Sequence, residues 1–164
     1  MKKIAYPIFS FVLLIFINGC TGYEPIFSSK NLQFKIANFS IEGDKILGNK
    51  IYSKLYSISK STKNDQNVRN IDLLINISKD KSITSKDSAG KILEYKIILN
   101  TEVEIKDFVT NDKILYQTFI SSLTYKVQSQ YSDTVNLENT SIENLINKIY
   151  QELLIKFSEN IVAK

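Results

Sequence analysis

The stretch Tyr95–Lys106, YKIILNTEVEIK, decides the fold because apolar and polar side chains alternate along it. One set of alternate positions runs from Tyr95 to Ile105 and is apolar except at Thr101. The other set is interrupted only by Ile98 and otherwise carries charged and amide side chains: Lys96, Asn100, Glu102, Glu104 and Lys106. A period of two is typical of a β-strand with one buried face. The stretch therefore predicts a strand whose second face stays polar.

A returning strand is predicted over 114–127, after a turn at Asn111-Asp112. A two-residue loop would set the charged Glu104 opposite Phe119. A three-residue loop, which adds Lys113, keeps the apolar residues on one face and is therefore preferred. The pairs of this preferred register are Ile105 with Phe119, Thr101 with Leu123, Leu99 with Tyr125 and Ile97 with Val127.

Three elements are predicted upstream of this hairpin. Alternation over 32–41 predicts a strand, and a phase slip in it predicts a bulge near Ala37–Asn38. Apolar residues at helical spacing predict a helix over 46–59, and strict alternation predicts a strand over 71–78. The polar segments 60–70 and 79–91 are read as loops, and the second holds four lysines: Lys79, Lys81, Lys86 and Lys91.

A long helix is predicted at the C-terminal end, with Thr140 and Glu143 forming a capping box at its start. Its apolar stripe comprises Ile142, Leu145, Ile146, Ile149, Leu153, Leu154, Phe157 and Ile161. A stripe of this kind is usually core, and a partner-binding face is the alternative. The predicted order is β-α-β-β-β-α. It indicates a two-layer α/β (α+β) sandwich, with two helices on one face of a four-stranded, mainly antiparallel sheet.

The N-terminal segment has the pattern of a bacterial lipoprotein signal. Lys2 and Lys3 precede an uncharged run over 4–17, and Cys20 follows closely. The run is shorter than the roughly 20 residues that a spanning helix needs, although a plain secretory signal remains an alternative. The sequence thus predicts a signal peptide over 1–19, a tether lipidated at Cys20 over 20–31, and a single domain over 32–164. Thr21, rather than aspartate, follows the cysteine and favours the outer membrane.

Composition excludes several kinds of catalytic and binding site. The chain has no histidine and one cysteine, so metal sites built from imidazole or thiolate and histidine-based triads are excluded. No glycine-rich phosphate loop is present. After residues 1–19 are removed, 19 basic residues face 17 acidic ones, and this small excess does not indicate a nucleic-acid partner. We expect no enzyme activity, no metal and no cofactor. Carboxylate catalysis stays formally open, but Glu102 and Glu104 fit a solvated strand face better.

Three segments resemble LptE, the lipopolysaccharide-assembly lipoprotein of the Gram-negative outer membrane. The segment Cys20–Phe27 is similar to the family's start, a cysteine followed by Gly-aromatic-Arg-Pro-Leu-Tyr, with Gly22, Tyr23 and Pro25 matching and Glu24 in place of the arginine. The segment 122–127 is similar to the family's Ser-Tyr-x-Val run. The segment 129–132 leads into a long helix, as in alphaproteobacterial members.

The resemblance implies a fold and a function. LptE-like proteins pack two helices on a four-stranded sheet, plug the LptD barrel, help it fold and bind lipopolysaccharide during its delivery to the cell surface. The partners expected by resemblance are an LptD-type barrel and lipopolysaccharide, with the outer membrane contacted through the lipid anchor. A half-polar sheet suits a plug in a wet barrel lumen.

The lysines of segment 79–91 are candidate contacts to lipopolysaccharide phosphates. A solvated loop in a lysine-rich protein is the alternative reading of the same residues: Lys79, Lys81, Lys86 and Lys91. Two other functions stay open for the whole chain. It could be an accessory lipoprotein of another envelope transport machine, or an anchored hydrolase that uses two carboxylates converging in a cleft.

Overall fold

The structure, a computed structural model, describes residues 32–61 and 68–162. Its elements follow the predicted order, and the predicted signal peptide and tether lie outside the described residues. The bounds are β1 Phe34–Gly43, α1 Lys45–Ser61, β2 Arg69–Lys86, β3 Ile92–Asp107, β4 Lys113–Lys126 and α2 Tyr131–Val162.

The four strands form one sheet in the order β1-β2-β3-β4. The β1 and β2 strands are parallel because α1 crosses over between them, and the other two pairs are antiparallel. Both helices contribute to one apolar cluster on one face of the sheet, where the rings of Phe34 and Phe157 meet at 5.0 Å. The predicted two-layer α+β fold is confirmed.

The bulge in β1 lies where it was predicted, and β1 is followed by a tight turn into α1. The register of β1 against β2 shifts between Ile36 and Asn38, which confirms the bulge. Gly43 has a φ of 72°, and a Cβ there would lie 2.2 Å from the carbonyl oxygen of Ile77. The next residue, Asp44, accepts hydrogen bonds from the amides of Ile46 and Leu47 and so caps α1. A tight turn therefore ends β1 and starts the helix at once.

The predicted loop over 79–91 is wrong, because β2 continues to Lys86. Its extension pairs with β3, with Lys79 opposite Leu99 and Lys81 opposite Ile97. The strand signal fades there because β1 ends opposite Ile77, so the β2 side chains beyond it are mostly exposed, whereas their β3 partners Ile97 and Leu99 stay buried. Alternation marks a strand only where one face is buried.

The predicted β3–β4 register is also wrong, by four residues: Phe119 faces Thr101 instead of Ile105. The connecting loop covers 108–112 because Asp107 organises a wider turn. Its carboxylate accepts hydrogen bonds from the amides of Val109 and Thr110, and its own amide donates to the carbonyl of Asp112. An even shift keeps every side chain on its expected face. The other pairs change likewise, to Ile97 with Leu123, Tyr95 with Tyr125 and Ile105 with Leu115.

The last helix begins at Tyr131, so the capping box at Thr140 and Glu143 is wrong. Thr140 lies inside the helix, and the hydroxyl of Thr134 accepts a hydrogen bond from the amide of Gln128 near the true start. The apolar stripe of α2 does belong to the core. Its buried members are Ile142, Leu145, Ile146, Ile149, Leu153 and Phe157, and Leu154 and Ile161 pack against them partly buried.

Candidate binding surfaces

The extended part of the β2–β3 hairpin, residues 78–100, is here called the arm. In the arm, β2 continues for nine residues past its last pairing with β1. At the usual rise per residue of a strand, this length is about 30 Å. A turn at its tip is held by Asp87, whose carboxylate accepts hydrogen bonds from the amides of Ala89 and Lys91. Gly90 has a φ of 81° in this turn. The arm is thus an ordered hairpin instead of a loop.

The four candidate lysines all lie on the arm, and all are exposed. Lys79 and Lys81 alternate with the buried Ile77 along β2, so they share the face that carries the helices. Lys86 ends β2, and Lys91 lies in the turn before β3. The four lysines therefore lie on one hairpin but at two places. Lys79 and Lys81 lie on one face of β2, and Lys86 and Lys91 lie at the tip.

Lys81 is bound within the molecule. Its Nζ lies 2.5 Å from Oε2 of Glu138 on α2 and 4.3 Å from the centre of the Tyr95 ring. The hydroxyl of Tyr125 donates to the same carboxylate oxygen at 2.8 Å. This cluster connects the arm to the first turns of α2. The Lys81 ammonium is therefore used in an internal ion pair and is less available to a ligand.

The protonation of the cluster follows from these contacts. Partial burial disfavours the charge on Lys81, but its hydrogen bonds to Glu138 and Tyr125 outweigh burial and raise its pKa. Burial likewise opposes the charge on Glu138, while hydrogen bonds from Lys81 and Tyr125 lower its pKa. The Lys79 ammonium lowers the pKa of Glu138 further. The ion pair therefore stays charged at neutral pH, and Lys79 adds positive charge beside it.

Apolar side chains accompany the lysines, and the sequence prediction missed them. Ile83 is 46% exposed and Leu93 is 41% exposed, and both lie near the tip of the arm, with Ile83 opposite Tyr95. The arm patch is defined here as Lys79, Lys81, Ile83, Leu93 and Tyr95. It places cations next to exposed aliphatic groups, an arrangement that suits a ligand with both anionic and apolar parts. The signal in the sequence was the alternation of Ile83 with the lysines.

The opposite face of the sheet carries a shallow cleft of about 300 Å³, lined among others by Asp72, Leu74 and Glu104. Its two carboxylates already have partners. Asp72 accepts a hydrogen bond from the Asn38 amide at 3.0 Å, and Glu104 lies 3.3 Å from the Lys106 ammonium. Both predicted carboxylates, Glu102 and Glu104, are partly buried rather than fully solvated.

Within the described ranges, no group of three or more histidine, cysteine, aspartate or glutamate side chains could hold a metal ion. No helix in the same part of the chain is long and apolar enough to cross a membrane. Cys20 and the predicted N-terminal motif of Gly22, Tyr23 and Pro25 lie outside the described residues, and their roles stay predictions.

Comparison with known proteins places the fold. No protein-family model and no curated protein matches the chain. Lipoprotein B from Nitrosomonas europaea, an uncharacterised protein, superposes with a TM-score of 0.57 at 13% identity, over 75% of this chain and 81% of that one. A minor lipoprotein from Acinetobacter baumannii superposes with a TM-score of 0.52 at 16% identity, over 79% and 92%. The chain therefore shares its fold with bacterial lipoproteins.

Proposed function

We propose that this chain is an outer-membrane lipoprotein that plugs and helps assemble an LptD-type barrel and takes part in lipopolysaccharide transport. The predicted lipidation of Cys20 supplies the anchor, and the shared fold with bacterial lipoproteins supports a place in the envelope. The LptE-like segments of the sequence suggest the partner. The arm patch is the observation that carries the lipopolysaccharide part of this proposal.

Lipopolysaccharide combines phosphate groups with acyl chains, and the arm patch offers a counterpart to each. Lys79 presents an exposed ammonium, and Lys86 and Lys91 add two more at the tip. Ile83 and Leu93 offer exposed aliphatic surface on the same hairpin. Exposed lysines attract phosphates electrostatically, and burial of apolar area adds roughly 25 cal/mol per Å² removed from water.

The polar face of the sheet supports the plug part of the proposal. Charged and amide side chains predominate on the β3 part of this face, while β4 adds the exposed Tyr116 and Ile120. Several of the polar groups contact each other, as Glu104 does Lys106 and Asn38 does Asp72. The lumen of a large outer-membrane barrel is polar and wet, so such a face can contact it without burying unpaired charges.

Charge reversal tests the arm patch. The variant Lys79→Gln combined with Lys86→Glu and Lys91→Glu should weaken binding of purified lipopolysaccharide at least tenfold, with the thermal midpoint changed little because these side chains are exposed and no new carboxylate is placed beside Glu138. Lys81 is kept, since its loss would disturb the cluster with Glu138. A matched control makes the same total change in charge outside the arm, with Lys148→Gln, Lys35→Glu and Lys45→Glu, all at exposed side chains. Equal lipopolysaccharide binding by both variants would remove the arm from the proposal.

Depletion in the native host tests the transport role as a whole. Loss of the protein should reduce both the assembled barrel and the lipopolysaccharide on the cell surface. Normal amounts of both would contradict the proposal. Co-purification with a large outer-membrane barrel separates it from the alternative of an accessory lipoprotein for another envelope machine, because that alternative predicts different partners.

A carboxylate-dependent hydrolase is the second candidate, since Asp72 and Glu104 line one cleft. They occupy diagonal positions on adjacent strands, which places them within reach of a common substrate. Their existing partners, Asn38 and Lys106, favour a structural role. This alternative predicts that the unchanged protein hydrolyses a glycoside substrate and that Asp72→Asn and Glu104→Gln each abolish the turnover. We expect the unchanged protein to hydrolyse no glycoside.

A further inference from the structure

The outer edge of β4 lacks the features that usually protect the edge of a sheet. Among the described residues, β4 pairs only with β3. From Ile114 to Tyr125 its sequence has no charged residue and no proline, and its pairing with β3 is unbroken from Leu115 to Lys126. Natural edge strands are commonly short, charged, bulged or interrupted by proline, because an open edge pairs with other chains.

The opposite edge strand provides an internal contrast. The β1 strand is ten residues long, is bulged after Ile36 and carries Lys35 and Glu42. The Ser59 hydroxyl on α1 also accepts a hydrogen bond from the amide of Ile36. One edge of this sheet is thus protected in several ways, and the other is left uniform.

One backbone hydrogen bond shows which N–H and C=O groups of β4 point toward β3 and which point away from the sheet. The amide of Val127 donates to the carbonyl of Leu93 at 2.8 Å, in line with the register of β4. Bonded and non-bonded pairs alternate in an antiparallel ladder, so odd-numbered β4 residues bond β3 and even-numbered ones point their N–H and C=O groups away. The Gln117 side chain donates to the Thr118 carbonyl at 3.2 Å, which agrees with an outward-facing carbonyl at this position and gives it a side-chain partner.

The side chains at the same even positions are exposed, with Tyr116 at 57% and Ile120 at 68%. The five residues of this open edge are Tyr116, Thr118, Ile120, Ser122 and Thr124. Aromatic, β-branched and hydroxyl side chains in this spacing are the ones that make favourable cross-strand pairs. Backbone groups and side chains are therefore both presented for strand addition.

We propose that the open edge of β4 receives an extended segment of another protein as a fifth strand. Two exposed lysines bracket the uncharged stretch: Lys113, which also lies 3.7 Å from the Glu104 carboxylate, and Lys126. The segment that fits therefore has an uncharged centre of about ten residues and acidic residues at its ends. A second copy of this chain fits less well. Antiparallel pairing of two copies about Ile120 would bring Lys113 of each copy close to Lys126 of the other. This inference does not depend on the proposed function.

A synthetic peptide tests the edge directly. The probe alternates threonine and valine and carries two aspartates at each end, and its charge control carries lysines in place of the aspartates. Added to the full mature chain, the acidic probe should bind saturably and shift the backbone amide resonances of 116, 118, 120, 122 and 124 more than those of β1. The lysine-ended control should bind at least tenfold more weakly.

Two modifications separate backbone pairing from side-chain contact. Ile120→Pro removes one outward N–H, a change tolerated at an open edge, and should weaken binding at least tenfold relative to Ile120→Thr, which keeps the N–H. If Ile120→Pro fails to fold, the peptide carries the test instead. In an added strand, every second amide of the peptide faces β4. N-methylation of those amides should abolish binding, and N-methylation of the remaining amides should leave binding intact.

Three results would overturn the inference. The first is no saturable binding of the acidic probe, and the second is binding that is unaffected by both modifications. The third is self-association of the chain that Ile120→Pro abolishes, because this would assign the edge to a second copy. Loss of barrel assembly on depletion would leave the inference untouched, so the two proposals fail separately.

Discussion

At the scale of single residues, Asp107 connects parts of the fold that are distant in the chain. It is 7% exposed, and Oδ2 lies 2.7 Å from Nε of Arg69, the one arginine in the chain. The hydrogen bond from Arg69, followed by those from the amides of Thr110 and Val109, lowers the pKa of Asp107 to about 2. The side chain joins the start of β2 to the β3–β4 turn and thereby sets the register that sequence patterning predicted wrongly.

Asp107→Asn should lower the free energy of unfolding at neutral pH by about 1–2 kcal/mol, because the amide cannot replace the charged acceptor. Since the pKa is lower in the folded than in the unfolded chain, this stability is present above about pH 4 and is lost as the pH falls toward 2. Urea unfolding at several pH values checks both expectations. Asp80→Asn, on an exposed part of β2, is the control, and an equal acid dependence in the two variants would contradict the assignment.

Gly43→Ala should destabilise the fold by about 2–4 kcal/mol. The alanine would have to adopt a positive φ, and its Cβ would also clash with the Ile77 carbonyl oxygen. Gly90→Ala is a matched control. Its φ is also positive, at 81°, but no atom lies within 4 Å of the added Cβ, so only the backbone cost of about 1–2 kcal/mol remains. Urea midpoints measure the difference, and equal losses would show that the close approach at Gly43 has no effect.

At the scale of elements, the arm and α2 are the two that differ most from the sequence-based expectation. The arm pairs with β4 over Glu94–Asn100, buries Ile97 and Leu99, and is joined to α2 by the cluster of Lys81, Tyr125 and Glu138. The α2 helix starts early enough to supply that glutamate, since it begins at Tyr131 instead of near Thr140. The two differences are connected, because an early helix start is what gives the arm a contact outside the sheet.

Lys81→Met should loosen the arm without unfolding the core. It removes the ion pair with Glu138 while keeping an apolar side chain over the Tyr95 ring. Amide hydrogen exchange should rise for residues 79–85 and 93–97 and stay unchanged for the α1–β1 pair. Lys86→Met at the tip serves as the control. An unchanged exchange pattern in Lys81→Met would show that strand pairing alone orders the arm.

At the scale of the whole molecule, the sheet has two faces and two edges with different chemistry. One face is covered by both helices, and the other is polar with a shallow cleft. One edge is bulged and charged, while the edge at β4 is uniform. The chain enters the fold at β1, at the end of the sheet opposite the arm tip.

Cys20→Ser should abolish the attachment of a fatty acid to the protein, because the predicted acylation uses the cysteine thiol. The fold should be unaffected, since the described domain begins at Leu32. Labelling of cells with a fatty acid and circular dichroism of the purified variant measure the two effects. Equal labelling of the variant and the unchanged protein would contradict lipidation at Cys20.

The element order, the buried faces of 71–78 and of β3, and the apolar stripe of α2 could be predicted from the chain alone, because periodicity along the chain is a local property. The lipoprotein signal is likewise readable there. The β3–β4 register, the length of β2, the start of α2 and the internal role of Lys81 became known only from the folded structure. Each of these depends on a partner distant in the chain, such as Arg69 for Asp107 or Glu138 for Lys81. Side-chain periodicity cannot specify such a partner, since shifts by an even number of residues preserve the same pattern.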